Sequence, residues 1–592
     1  MIEPRVWRRF RRDRAALAGS LLLLLGCDSE PEPPIGRVRE VVPQRGGILR
    51  SAFYTDVRSL DPAVAFDTGS SAIEDLLFDS LVSYDDSGRI TPQLAETVDV
   101  SPDGKRYVFS LRRGVLFHDG TELKAADVKR SLERTLHADT PCPVPSFFER
   151  VAGYRAFHEG KASELSGVTI AGEYSVELAL SEPDATLLHV LALPISAPVC
   201  RSAGKIYSPN FSTLACGTGP FKLVYFENGQ EIRLSRHAGY WKRGEPYLDE
   251  VRWYLNMPKF SQRVKFERGD LDYMREFSED DSLLYRRSPA WKGLGGWEAP
   301  LATHGLFMNT EVAPFDNRHV RRAVTFALDH SAVALLEPGH IQEHRRVVPG
   351  AILRDWPGMK VQAPNLERAL EEMRLSGLAY DPVSGKGGYP KEIPYVVPVE
   401  SLGERAAQIF QQQLASIGLR IRLQIVGWPA FLATVGRRKT ASIGYVAWKA
   451  DFPDASNFFE PTLSTAAIQD EDSQNWAFFS DSELDQVLAA ARRSTDPAER
   501  ERLYRRAEEI VAAEAPWAVG SDYRYFELWH AYVHGYRPNP VLVQRVRGMW
   551  FDREQKPSEV SLEPRRRLLP GLARGFKGRQ RSTLALVGAD RR

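Results

Sequence analysis

Two carboxylates stand three residues apart among aromatics in YVAWKADFPDAS (445–456). They are Asp451 and Asp454, with Tyr445, Trp448 and Phe452 around them and Pro453 between. Paired carboxyls about 5 Å apart can act as nucleophile and acid/base on a glycosidic bond. A buried carboxylate short of a protein partner can instead hold a ligand cation. A third possibility is an ordinary strand end, with Asp454 after proline as a turn or helix-cap residue. Nothing else in the chain supports glycoside chemistry, which leaves a grip or a scaffold.

The histidines offer two further chemistries. His118 in FHDG is placed like a base, but GxSxG is absent and no serine or cysteine nucleophile pattern accompanies it. It reads as a turn histidine that hydrogen-bonds locally. His340 and His344 are four apart, as are His530 and His534. On a helix each pair would share a face and could hold a metal. HIQEH (340–344) also matches the HxxEH string of one metalloprotease class. It follows Pro338-Gly339 and precedes RRVVPG, so a helix is not expected there, and no third ligand can be placed. These are read as loop histidines, with no metal and no cofactor.

The chain has 592 residues, which suggests roughly three or four domains. It is 43% apolar and 26% charged, with a formal net charge of +1, so no global field attracts nucleic acid. The first 27 residues depart from this composition. Six arginines between Arg5 and Arg14 precede the apolar run Ala15–Leu25. That run is shorter than the about 20 residues a membrane span needs, and it reads as an export signal over 1–26. Its end, Leu24-Leu25-Gly26-Cys27, resembles a bacterial lipobox, in which the cysteine receives lipid and becomes the mature N-terminus. Residues 27–45 then form a Pro-rich tether that cannot pack a core. From Pro564 nine basic residues face Asp590 alone, and 563–592 reads as a disordered basic tail. In an oxidising compartment Cys142, Cys200 and Cys216 leave one thiol over. Cys200 and Cys216, either side of a short loop, are the expected bridge, with Cys142–Cys200 as the rival.

Between these ends, strands and helices mix throughout and argue α/β. Residues 46–60 open on an apolar alternation, a strand, and 72–83 look helical. A strand, the Asp119-Gly120 turn and a helix from about Ala125 follow. GVTIAGEYSVELALS and GPFKLVYFENGQEIRLSRH alternate as hairpins, the second turning at Asn228-Gly229. LGERAAQIFQQQLASIG is an amphipathic helix stopped by Gly418, ahead of the strand LRIRLQIVGW. In GTGPF (217–221) the glycines are read as a backbone bend.

Four of these stretches together resemble the solute-binding proteins of peptide and nickel ABC transporters. They are 94–128 (LAETVDVSPDGKRYVFSLRRGVLFHDGTELKAADV), 217–253, 315–329 (FDNRHVRRAVTFALD) and 448–459 (WKADFPDASNFF), in order and collinear from roughly Gly46 to Tyr536. The resemblance implies a two-lobed periplasmic-binding-protein-like fold (type II, cluster C) with an additional third domain. Lobe one would comprise 46–87, 202–302 and 530–562, the extra domain 88–201, and lobe two 303–529. Ligand would lie between lobes that close over it. The aspartate of the family's Trp-x-Ala-Asp motif, here Asp451, would hold a ligand α-ammonium, with Trp448 and Phe452 as apolar walls. Met308 and Asn309, on ATHGLFMNT (302–310), would enter lobe two beside the cleft. His304, Arg345 and Arg437 are the candidates for the ligand carboxylate.

The function implied is that of a binding protein rather than an enzyme. It would be a monomeric, lipid-anchored protein of the periplasm or extracytoplasmic membrane face that delivers a small solute, an oligopeptide or dipeptide first, to an ABC permease. Nickel chelates or oligosaccharides are the alternative solutes. A secreted hydrolase or a sensory receptor is the alternative of another class.

Overall fold

The structure is a computed structural model and describes residues 42–556 apart from 58, 276–277, 292, 299–300, 360–362, 400 and 540. The expected signal (1–26), Cys27, most of the tether and the basic tail (563–592) lie outside the described residues. No helix among the described residues is long and apolar enough to cross a membrane.

The apolar runs IPYVVP and IGYVAWK become neighbouring parallel strands, Ile393–Pro398 and Ile443–Lys449, in a six-stranded sheet. Parallel strands are normally covered on both faces, and these are. The sheet order is 341–343, 517–523, 302–308, 443–449, 393–398 and 421–426. On one face Leu306, Met308 and Tyr395 pack with Val324 and Phe410, from helices Arg318–Ala327 and Leu402–Ala415. On the other, Phe307 and Val446 pack with Phe458, Leu488 and Tyr504 from three further helices.

A second core gathers segments remote in sequence. Ile48–Ala52 pairs in parallel with Glu250–Tyr254, which continues antiparallel into Glu231–Arg236 and Phe221–Glu227. Leu49, Leu76, Trp253 and, from near the C-terminus, Met549 and Phe551 fill it. Phe53 stacks on Trp253 with ring centres 4.9 Å apart. Beside it, Phe526–Trp529 joins Tyr273–Met274 and Gly295–Trp297. Strands Ala302–Met308 and Trp517–Tyr523, by contrast, belong to the six-stranded sheet.

The extra domain has its own antiparallel sheet, ordered 95–100, 106–111, 175–179, 168–172, covered by helix Ala125–Leu136. The architecture is thus two-lobed with a third domain. Several links tie the extra domain to the first lobe, among them the following. Arg134 donates to both oxygens of Asp61, at 2.9 and 2.6 Å, with both side chains buried. Cys200 is bonded to Cys216, with Cα atoms 5.4 Å apart, and Cys142 is free and half-buried. His118 accepts from the Gly217 N–H (3.2 Å) through Nδ1, which leaves Nε2 to donate to the Gly219 carbonyl (3.1 Å). His118 therefore joins two of the signature stretches.

Candidate ligand cleft

The helix expected over 72–83 runs instead from Thr68 to Leu77. Asp67 fixes its start, accepting from the Ser70 N–H (3.0 Å) and hydroxyl (2.6 Å). Residues 67, 71 and 74 are spaced to share one helix face, and Asp67, Ser71 and Glu74 line a cavity of about 200 Å³. The opposite face and far end of the helix pack on the loop GTGPF. A Cβ at Gly217 would stand 2.4 Å from the Leu77 carbonyl oxygen, and one at Gly219 would stand 2.4 Å from the Leu77 carbonyl carbon. These glycines are required by close approach, not by the bend expected from sequence.

The facing wall comes from the six-stranded sheet. Strand 443–449 ends opposite Ala302 at Lys449, and the Ala450 N–H donates to the Leu301 carbonyl at 2.8 Å. Lys449, Ala450 and Asp451 thereby reach the cavity. Leu193, Pro194 and Ile195 of the extra domain and Val541–Val543 complete its lining.

Asp451 meets only neutral donors. Its backbone N–H donates to Asn457 Oδ1 (2.9 Å), and Asn457 Nδ2 donates to its Oδ2 (3.0 Å). Burial pushes its carboxyl up to about 6, against the Asn457 hydrogen bond and the nearby Lys449. Lys449 is reached by solvent from the cavity yet crowded by protein, and desolvation lowers its ammonium to about 8. Asp75 is compensated by Arg547, whose Nε lies 3.3 Å from its Oδ2. Glu74 is 1% exposed. Its two carboxylate oxygens meet no donor among the described residues.

Asp454 turns away from this cavity. It accepts from the Ser456 N–H (2.9 Å) and hydroxyl (2.7 Å), and from Arg500 and Tyr504. The two opening carboxylates therefore have separate surroundings, and the second is committed to the scaffold.

Several expected contacts lie elsewhere. Phe452 is buried in the core of the extra domain, edge-on to Phe147 and stacked on His189, so it is not a cavity wall. Trp448 packs against the lobe-two core and points its indole N–H at Asn457 Oδ1 (3.4 Å), supporting the residue that supports Asp451. Met308 and Asn309 are wholly buried at the other end of strand 302–308, where Met308 faces Ile443 and Asn309 donates to the Ala441 carbonyl. Register is the reason: Ala302, not Met308, is the residue opposite Lys449.

His304 bonds Tyr445 at 2.5 Å, and burial pushes it down to about 4, which leaves it neutral at pH 7. Arg345 pairs with Glu343 and Arg437 with Glu471. None of these three lines the cavity, and Lys449, inside the quoted motif but passed over, does. His340 and His344 flank the strand Ile341–Glu343, and four extended residues span about 13 Å. His340 bonds Ser282 and the Arg524 carbonyl. His530 bonds the Phe266 carbonyl, and His534 stacks on Trp550.

Glu74 also escaped the sequence reading, because a glutamate in a short helix ordinarily marks its wet face. The available signal was the Asp67–Ser71–Glu74 spacing against the apolar Ile73, Leu76 and Leu77.

A family model described as bacterial extracellular solute-binding proteins, family 5 Middle, matches residues 89–470. The glutathione-binding protein GsiB of Salmonella choleraesuis (strain SC-B67) is 27% identical over 492 residues, covering 79% of this chain and 87% of that one. Among solved structures, the periplasmic binding protein DppA from Helicobacter pylori, in complex with the peptide STSA, superposes with a TM-score of 0.72 at 24% identity, over 86% of this chain and 98% of that one. AgaA from A. tumefacien R10, in complex with agropinic acid, superposes with a TM-score of 0.70 at 23% identity, over 86% and 99%.

Proposed function

Because this chain belongs to family 5 of the bacterial extracellular solute-binding proteins, we propose that it captures short peptides in the cleft between its lobes and delivers them to an ABC permease. The observation that carries the reading is Asp451. It reaches the cavity with a carboxylate whose side-chain donor among the described residues is the neutral Asn457. A peptide α-ammonium would give it a charge-assisted hydrogen bond in a partly desolvated site, where such a contact is strong. Lys449, one residue beyond the strand partner of Thr303, is the cationic residue on the same wall and suits the ligand's carboxylate or a backbone carbonyl.

Held on the outer face of a membrane through Cys27, in its lipobox-like setting, the protein would present this cleft to solutes arriving from outside.

Calorimetric titration of the protein without its signal, using short peptides and their N-acetylated forms, tests the reading. Binding of free peptides that disappears on acetylation and in Asp451→Ala is expected, with the peptide recovered unchanged. Silence toward every peptide, or indifference to acetylation, would move the function to another solute of the family.

A further inference from the structure

Glu74 is a buried carboxyl of the cleft without a donor among the described residues. It sits mid-helix, 1% exposed, and lines the same cavity as Asp451. Neither carboxylate oxygen finds a donor among the described residues. The acids beside it are otherwise engaged: Asp67 caps the helix, and Asp75 pairs with Arg547. Burial and the neighbouring Asp67 and Asp61 push the Glu74 carboxyl well above the usual carboxylate range. A buried carboxyl without donor or counter-ion is costly, and a cost retained on a binding wall is removed when a ligand supplies the partner.

We infer that Glu74 forms a second cation subsite, so that the preferred solutes carry two positively charged nitrogens, as in a short peptide with a basic side chain. This deepens the peptide reading and rests on it. One nitrogen meets Asp451 and the second meets Glu74, each through a charge-assisted hydrogen bond. Val541, Leu542 and Leu193 line the same cavity with apolar surface suited to the methylenes of a lysine-like chain.

The test compares Lys-Ala-Ala with norleucyl-Ala-Ala, which has nearly the same shape without the second charge, by calorimetry on the wild-type protein and on Glu74→Gln. The lysyl peptide should bind the wild type at least tenfold more tightly, and this preference should collapse in Glu74→Gln while both peptides still bind. Glu74→Met serves as a second variant should the glutamine protein fold poorly. Equal affinities in the wild type, or a preference that survives both substitutions, would overturn the subsite.

If neither peptide binds, the peptide reading fails separately, and 1,5-diaminopentane becomes the probe. Thermal stabilisation of the wild type by this diamine, lost in Glu74→Gln, supports the subsite. No shift in the wild type, or an equal shift in the variant, sinks it.

Discussion

Asp451 and Phe452 are consecutive in the chain and serve different bodies. The carboxylate reaches the cavity, while the ring is buried among Phe147, His189 and the rest of the extra-domain core. One peptide unit therefore links a cavity-lining carboxylate to the seating of lobe two on the extra domain.

Replacing Asp451 by Asn should lower affinity for an N-terminally free ligand roughly 10- to 100-fold, the range for a contact to a charged group. The ligand-free protein should respond differently. The folded carboxyl titrates near 6, above its unfolded value near 4. Between those pH values the folded state binds more protons, so this group's contribution falls as pH rises from about 4 to 6. Above pH 6 the wild type carries the full penalty, and Asp451→Asn should melt at the same temperature or higher. Thermal unfolding across that window reads both effects, and a variant that melts several degrees lower at pH 7 would contradict them.

Phe452→Ala should cost about 3–5 kcal/mol, the usual loss for a buried phenylalanine. It does not line the cavity, yet its loss should weaken binding, because the loop carrying Asp451 loses its anchor. Denaturant unfolding and titration of the same sample separate the two losses. Weaker binding with full stability would mean the ring contacts ligand after all.

Gly219→Ala places a methyl 2.4 Å from the Leu77 carbonyl carbon and 2.5 Å from the Leu76 oxygen, where backbone, not a flexible side chain, must give way. A cost of about 1–3 kcal/mol is expected, as for overpacking. The displaced helix carries Glu74, so peptide affinity should fall with Asp451 untouched. Unchanged affinity would show that the loop does not hold the helix in register.

His118 is pushed down to about 3, chiefly by burial. An unfolded histidine takes a proton near 6.5, so in the interval between, the unfolded state binds more protons and stability is lost as pH falls. The slope from this residue approaches about 1.4 kcal/mol per pH unit at most. His118→Gln should be less stable at pH 7, since it disturbs the bonds to Gly217 and Gly219, but its stability should decline less between pH 6.5 and 4. Parallel curves for the two proteins would rule this out.

The sequence disclosed the fold through stretches whose jobs are local. Alternation, the Asn228-Gly229 turn and the stop at Gly418 each specify their own element, and the order of four such stretches identifies the assembly. Asp451 was legible because its motif is contiguous. Glu74 was not, because its role depends on what packs around a helix assembled from remote parts of the chain. Met308 and Asn309 were misplaced because only the pairing of 302–308 with 443–449 tells which end of the strand meets the cleft. Phe452 lies in the extra-domain core because the strand ends at Lys449 and the chain bends through 451–454, a course the motif alone does not reveal.

The cavity's walls belong to three bodies: helix 68–77 of the first lobe, Leu193–Ile195 of the extra domain and Lys449–Asp451 of the second lobe. No one of them encloses the space. Its dimensions are set by the angles at which the three meet, so a solute held there would be gauged as by a caliper. A molecule too short would leave the jaws without purchase, and one too long would hold them apart. The outer contour of the whole protein would then report what lies inside.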